Sequence, residues 1–314
     1  MDLRRLGRSA LATPRLVLGG NVFGWTATGA EAFAILDRFA EAGGVMIDTA
    51  DVYSAWVPGH KGGESESLIG EWLKRRGRRD DVLIATKVGM LPGEGGEKLE
   101  PARIASAAEA SLQRLGTHID LYYAHQDDEK TPLADSLAAF DKLVKAGKVR
   151  VIGASNYSAD RLNEALDISE REGLARYEVL QPEYNLMVRD KFEGDRQRVC
   201  IDRNVGALPY FGLASGFLTG KYRSEADKGK SIRGGRMDAY MTDRGFAVLA
   251  ALDEVASETG ATPAQVALAW LAARPGVTAP IASATSRAQL DELLGVLTLE
   301  LSGEQVERLT AAGA

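Results

Sequence analysis

From Arg15 to Val296, short apolar and β-branched runs alternate with longer amphipathic segments. This alternation constrains the chain more than any other feature, because it calls for βαβ units whose strands lie parallel in one sheet. The runs are Leu16–Leu18, Val45–Ile47, Val82–Ala85, Ile119–Tyr123, Val149–Gly153, Val179–Gln181, Ala207–Leu208 and Val277–Ile281, eight in all. Helical patterns fill the gaps at Ala30–Ala42, Glu64–Arg76, Ala102–Leu115, Pro132–Ala146, Ala159–Glu172, Lys191–Arg203, Phe246–Glu258, Pro263–Ala273 and Arg287–Val296. Pro101, Pro132 and Pro263 stand at first-turn positions, and Gly43-Gly44, Gly77, Gly116 and Gly147 follow helices, so the ends carry their own punctuation.

Eight strand–helix repeats in about 300 residues match the size of a closed barrel. A doubly wound open sheet uses the same alternation but wants a G-x-G-x-x-G turn after its first strand. Here the chain has Gly19-Gly20-Asn21-Val22-Phe23-Gly24, a poor match. The expected fold is therefore an α/β (β/α)8 TIM barrel, one domain over residues 1–314, with a short N-terminal β-hairpin and long loops at the C-terminal face. The polar, glycine-rich stretch from Gly220 to Gly245 is too long for an ordinary connection. It reads either as a loop over the active site or cofactor, or as a surface insertion.

With 45% apolar residues the chain can bury a sizeable core. Its 38 basic and 44 acidic residues nearly balance, and no basic tract is longer than Lys74-Arg75-Arg76, which argues against a nucleic-acid partner. The single cysteine, Cys200, excludes an intrachain disulfide and reads as a buried residue in a reducing compartment. The N-terminal segment lacks a continuous hydrophobic region, and no segment reaches membrane-spanning length, so a cytoplasmic protein is expected. His60 and His118 have no partners at metal-ligand spacing, and no metal site is expected.

Barrel active sites are built where strands end at the C-terminal face, so polar residues that abruptly close apolar runs are the first candidates. Val45-Met46-Ile47 runs into Asp48, Val82–Thr86 into Lys87, and Leu121–Ala124 into His125; Tyr53 follows Asp48 by five residues. Singly, each has a structural explanation: a cap, a solvated amine, a satisfied imidazole, a packed ring. Together a carboxylate, an ammonium, a phenol and an imidazole at one opening suit proton donation to a carbonyl oxygen. A phenol titrating near ~10 is a poor acid at neutral pH, and a neighbouring ammonium favours its anion. Lys87 is expected to lower the Tyr53 pKa in this way, and Asp48 to keep the buried lysine charged. His125 then orients the carbonyl.

At these residues the sequence resembles the aldo-keto reductases, over nearly its whole length. The matching pieces include Asp48-Thr49-Ala50-Asp51-Val52-Tyr53, Gly63-Glu64-Ser65-Glu66, Ala85-Thr86-Lys87-Val88-Gly89 and Ile119–His125. Further on come Gly153–Ser158, Gln181-Pro182-Glu183-Tyr184-Asn185 and Gly216–Tyr222. The resemblance implies a reduced nicotinamide cofactor held without a Rossmann domain, and a small-molecule carbonyl substrate. It also implies Tyr53 as general acid, Lys87 and Asp48 as its tuning pair, and His125 as the carbonyl-orienting residue.

By the same resemblance Ser155, Asn156 and Gln181 grip the carboxamide, and Tyr210 stacks on the nicotinamide. Leu213, Ser215, Gly216 and Lys221 belong to the pyrophosphate loop. Family members commonly read Tyr-Ser-Pro-Leu where this chain reads Tyr210-Phe211-Gly212-Leu213, which removes a hydroxyl and suggests a freer loop. Ser283, Thr285, Arg287 and Gln289 match the adenosine end. Some relatives carry lysine and arginine where Ser283 and Gln289 stand; here Arg287 remains nearby and Ser283, Thr285 and Ser286 can donate hydrogen bonds, so NADPH is favoured, with NADH the other candidate. Trp25 and Trp56 read either as substrate-pocket walls or as packing anchors. Some relatives serve as regulatory subunits of membrane channels. That alternative, a cofactor-binding subunit with little turnover, is weakened by the intact tetrad.

Overall fold

The computed structural model describes residues 2–230 and 234–314. Two short strands, β1 (Arg4–Arg5) and β2 (Ala12–Thr13), pair antiparallel as the expected hairpin. The remaining strands described are β3 (Val17–Gly19), β4 (Met46–Asp48), β5 (Leu83–Val88), β6 (Ile119–Ala124), β7 (Val149–Ser155), β8 (Tyr177–Gln181), β9 (Gly206–Ala207) and β10 (Ile281–Ala282). They lie parallel in the order β10-β3-β4-β5-β6-β7-β8-β9. The ring closes where Ala207 bridges Val277, and where the amide of Thr278 donates to Ala207 and that of Ile281 to Pro209. The architecture is the expected (β/α)8 barrel.

Helices α1 (Gly29–Glu41), α2 (Glu64–Arg76), α3 (Pro101–Leu115), α4 (Leu133–Lys145), α5 (Ala159–Glu172) and α6 (Asp195–Asp202) alternate with the strands. They are followed by α7 (Asp243–Thr259), α8 (Pro263–Ala272), α9 (Arg287–Leu294) and α10 (Gly303–Ala312). Each turns an apolar stripe inward; in α1 it is Ala32, Phe33, Ile35, Leu36 and Phe39, the spacing of one helical face.

The eighth expected run, Val277–Ile281, is not one strand. Pro280 has no N–H to give the ladder, so Val277 bridges β9 while only Ile281 and Ala282 pair with β3. α6 begins at Asp195 rather than Lys191, because Gly194 sits at φ 91°, outside helical space. α10 was not expected. Its start carries a reciprocal cap, in which the Ser302 hydroxyl accepts from the amide of Gln305 and the Gln305 side chain accepts from the amide of Ser302.

Strand periodicity sorts the core into two layers. Val17, Met46, Ala85, Leu121, Tyr123 and Val179 fill the barrel interior with Leu6 and Leu11 of the hairpin. Leu18, Ile47, Ile84 and Tyr122 face the helices. One step further along the inward rows places Asp48 after Met46 and Lys87 after Ala85. Gly19 and Gly20 end β3 where no larger residue fits: a Cβ on Gly19 would strike the Ser283 hydroxyl, and one on Gly20 would lie 2.9 Å from the Asp48 carbonyl.

The Gly220–Gly245 stretch is turned and anchored where it is described. Arg223 donates to both Asp253 oxygens of α7 at 2.9 and 2.8 Å, and the Tyr240 ring stacks on Phe217 at 5.7 Å. Its residues 231–233 lie outside the described residues. Among the described residues no helix is long and apolar enough to cross a membrane. Cys200 is buried, which pushes its thiol up to about 12.

Candidate active site

Asp48, Tyr53, Lys87 and His125 meet at one end of the barrel, as the strand endings predict. The Lys87 ammonium is fully buried and donates three hydrogen bonds: to Asp48 Oδ2 at 2.7 Å, to the Thr49 carbonyl at 2.7 Å and to the Tyr53 hydroxyl at 2.9 Å. Those three acceptors match the three protons of an ammonium. The Tyr53 hydroxyl in turn donates to Asp48 Oδ2 over 3.4 Å, and the Gln181 amide donates to Asp48 Oδ1 at 2.9 Å. Asp48, itself 2% exposed, is thereby compensated on both oxygens.

One expectation is reversed. Burial first, and then the Asp48 carboxylate, hold the Tyr53 phenol well above its ordinary pKa, so at neutral pH it keeps its proton. Lys87 does not win this contest, because burial lowers its own affinity for a proton while Asp48 opposes the shift. The site is loaded with a protonated phenol and not with a phenolate. Burial, with the Lys87 charge second, depresses His125 well below the usual range and leaves a neutral imidazole. Its Nδ1 is buried without a hydrogen-bond partner, and its ring lies 6.1 Å from that of Tyr53 at 72°.

The strand-end polar residues form a chain beside the tetrad. Asn156 Nδ2 donates to the His125 carbonyl and to Ser155 Oγ, both at 3.1 Å, and its Oδ1 accepts from the Tyr210 hydroxyl at 2.8 Å. Ser155 Oγ donates to the Gln181 carbonyl at 2.9 Å. Asn156 takes up φ 60°, a conformation asparagine tolerates better than most residues. Amide and hydroxyl groups on β7 and β8, an aromatic ring beside them and an unpartnered imidazole nitrogen are a donor set that fits a nicotinamide carboxamide. Gln181 fits with a qualification, since its amide N–H already serves Asp48.

After Tyr210, left-handed backbone occurs at Phe211 (φ 56°), Ala214 (φ 47°), Ser215 (φ 57°) and Gly216 (φ 98°). Left-handed backbone at residues other than glycine clusters at active sites and ligand clamps. Asn185 Nδ2 donates to the Phe211 carbonyl at 3.0 Å, and the Tyr210 amide donates to Pro182 at 2.9 Å. Leu213 is partly buried and Lys221 is exposed.

At the far end Ser283 Oγ donates to Asn21 Oδ1 at 2.7 Å, and the Thr285 amide and hydroxyl both donate to Gln289 Oε1. The Arg287 side chain is 62% exposed and 3.9 Å from Asp291. Trp25 and Trp56 pack edge to face at 5.8 Å, and Trp56 reaches Tyr53 at 6.1 Å. This trio extends outward from the phenol, with Trp56 half-exposed. Among the described residues no group of three or more His, Cys, Asp or Glu is placed to hold a metal ion.

The family model of the aldo/keto reductases matches residues 15–314. This chain belongs to the aldo/keto reductase family. Relatives agree in length as well as in sequence. Aldo-keto reductase str7 of Strobilurus tenacellus is 32% identical over 96% of this chain and 86% of the relative. Aldo-keto reductase yakc of Schizosaccharomyces pombe, whose name carries NADP(+), is 30% identical over 89% and 81%. A probable voltage-gated potassium channel subunit beta of Arabidopsis thaliana is 31% identical over 93% and 90%. As a member of this family the protein is an NAD(P)H-dependent oxidoreductase.

Sequence reasoning passed over one residue of this aldo/keto reductase. Asp51 lies inside the matched Asp48–Tyr53 segment, yet both its carboxylate oxygens are buried without a hydrogen bond. The available signal was a second acid three residues after the first, in a loop expected to fold inward.

Proposed function

We propose that this reductase transfers a hydride from NADPH to the carbonyl carbon of an aldehyde or ketone while Tyr53 donates a proton to the oxygen. The observation carrying this reading is the Lys87 ammonium, held by Asp48 at 2.7 Å and donating to the Tyr53 hydroxyl at 2.9 Å. The bound nicotinamide supplies the hydride. As negative charge develops on the carbonyl oxygen, Tyr53 gives up its proton and the neutral His125 offers an imidazole N–H. Lys87 steadies the phenolate left behind, and Asp48 keeps Lys87 charged. Tyr53 then regains a proton from solvent, closing the balance with an alcohol as product; the reverse sequence oxidises an alcohol.

Ser155, Asn156 and Gln181 would hold the carboxamide, and Tyr210 would lie against the ring. The strained turn with Leu213, Ser215, Gly216 and Lys221 would take the pyrophosphate. Ser283, Thr285, Arg287 and Gln289 would meet the adenosine end. Arg287 is the guanidinium that favours NADPH over NADH. Trp25 and Trp56 would wall an apolar substrate pocket.

A panel of aldehydes, ketosugars and bulky secondary ketones with NADPH and with NADH, followed by nicotinamide absorbance, tests this reading. Turnover is expected to fall by about 10²–10⁴-fold in Tyr53→Phe. Turnover no greater than that of Tyr53→Phe would sink the catalytic reading. It would instead favour a cofactor-binding subunit that acts by association, the reading to which the similarity to a channel subunit beta belongs.

A further inference from the structure

Three acceptors take the three protons of the Lys87 ammonium, so any further neighbour must meet it without a hydrogen bond. Tyr123 is such a neighbour. In the parallel register of β5 and β6 Lys87 stands directly opposite Tyr123. Its Nζ lies over two rings, 4.7 Å from the centroid of Tyr53 and 5.8 Å from that of Tyr123. The Tyr53 ring also presents its hydroxyl to the ammonium, whereas Tyr123 presents only its ring. Tyr123 is fully buried in the barrel interior with Met46, Ala85 and Val179, and its hydroxyl has no hydrogen-bond partner. A buried tyrosine ordinarily finds a partner for that group, so the hydroxyl does not explain why an aromatic residue stands here.

The next strand is cut to fit that ring. Tyr123 pairs with Gly153 of β7, and a Cβ on Gly153 would lie 2.7 Å from both Cδ1 and Cε1 of Tyr123. Gly153 is not among the residues in left-handed backbone, so what glycine supplies at this position is room, for the ring and for the Val179 carbonyl 3.0 Å away.

An aromatic face attracts a cation within about 6 Å and offers a neutral amine no comparable interaction. The Tyr123 ring therefore favours the charged form of Lys87. Being neutral, it does so without raising the Tyr53 phenol further, as another carboxylate would. The other groups around the ammonium are Asp48 and Tyr53, in contact; the neutral His125 at the end of β6; and Gln181 of β8, engaged with Asp48. Asp51 and Glu66 add their charge without a hydrogen bond to it. Burial, the largest influence on Lys87, works against its proton.

We propose that Tyr123 is a positioning residue for carbonyl reduction, the face of its ring holding the Lys87 ammonium in place and charged while all three ammonium protons serve Asp48, Thr49 and Tyr53. Tyr123 touches no reacting atom and acts only through Lys87. This inference rests on the carbonyl-reductase reading above.

The test follows Lys87 itself, in protein whose lysines carry carbon-13 at Cε, by NMR between about pH 7 and 11, the Lys87 resonance being identified by its loss in Lys87→Met. Tyr123→Phe is expected to keep the Lys87 midpoint of the wild type, because the ring remains. Fluorine withdraws electrons from the ring face and leaves the shape of the side chain nearly unchanged, so a misfolded core does not confuse the comparison. Tyr123→Phe made with one and then three ring fluorines is expected to lower the midpoint in steps, by about one pH unit in all, a tenfold loss of proton affinity. Equal midpoints with and without the three fluorines overturn the inference, and so does unfluorinated Tyr123→Phe with a midpoint already as low. The alkaline limb of kcat/KM for benzaldehyde reduction with NADPH is expected to follow the Lys87 midpoint downward. A limb that stays while the midpoint moves overturns the role of Tyr123 in reduction. Absence of turnover in the wild type overturns the carbonyl-reductase reading instead, and the resonance tells the two apart because it needs no substrate.

Discussion

Replacing Asp51 by asparagine is expected to make the protein more stable, and increasingly so as pH rises. In the folded chain the carboxyl is pushed up from 3.8 to about 7. Well below pH 3.8 the folded and unfolded states both hold the proton, and the group contributes no pH dependence. Between pH 4 and 7 the folded state binds a proton that the unfolded state has released, so stability falls by about 1.4 kcal/mol per pH unit. Above pH 7 the slope ends and the full penalty stands, ~4 kcal/mol for the whole shift. The amide has the shape of the protonated carboxyl and cannot ionise, so Asp51→Asn lacks this slope. Between pH 5 and 8 the variant should gain about 3 kcal/mol on the wild type, the remainder of the penalty lying below pH 5. Urea titrations at half-unit pH steps measure this as a growing separation of midpoints at unchanged m. Titrating groups that do not interact with Asp51 cancel in the difference. A separation that stays constant with pH, or that shrinks as pH rises, refutes the reasoning.

Lys87→Met leaves Asp48 buried with only the Gln181 amide and the long Tyr53 hydroxyl contact as partners, and should cost about 3–5 kcal/mol in denaturant midpoints besides abolishing most turnover. Trp56→Ala removes the ring that packs against Trp25 and Tyr53, and should raise KM for benzaldehyde by about 5-fold while leaving a short aliphatic aldehyde unaffected. Arg287→Ala should weaken NADPH by about tenfold in fluorescence titration and leave NADH unchanged, and equal effects on both cofactors would remove Arg287 from the phosphate contact.

Much of the site was legible because a barrel strand converts position into direction. Residues two apart share a face, so once Met46 and Ala85 point inward, Asp48 and Lys87 follow them to the opening. Tyr53 needed the loop geometry, and the fold supplied it. The same rule marks Thr86 and Tyr122 as outward-facing, but periodicity says nothing about what meets them. Asp51 was passed over for that reason: its neighbours Glu66, Arg103 and Tyr122 are distant in sequence and come together only when α2 and α3 pack on the wall.

The sequence by itself determined the alternation, most of the strands and helices and the inward rows that carry Asp48, Lys87 and His125, because these depend on local periodicity and on proline and glycine geometry. Tertiary structure decided the proton inventory. The expected lowering of the Tyr53 pKa by Lys87 gave way to burial and to Asp48, and Asp51 acquired its shift from groups on other elements. Desolvation depends on how completely the surrounding chain excludes water, a quantity that no local pattern of residues carries.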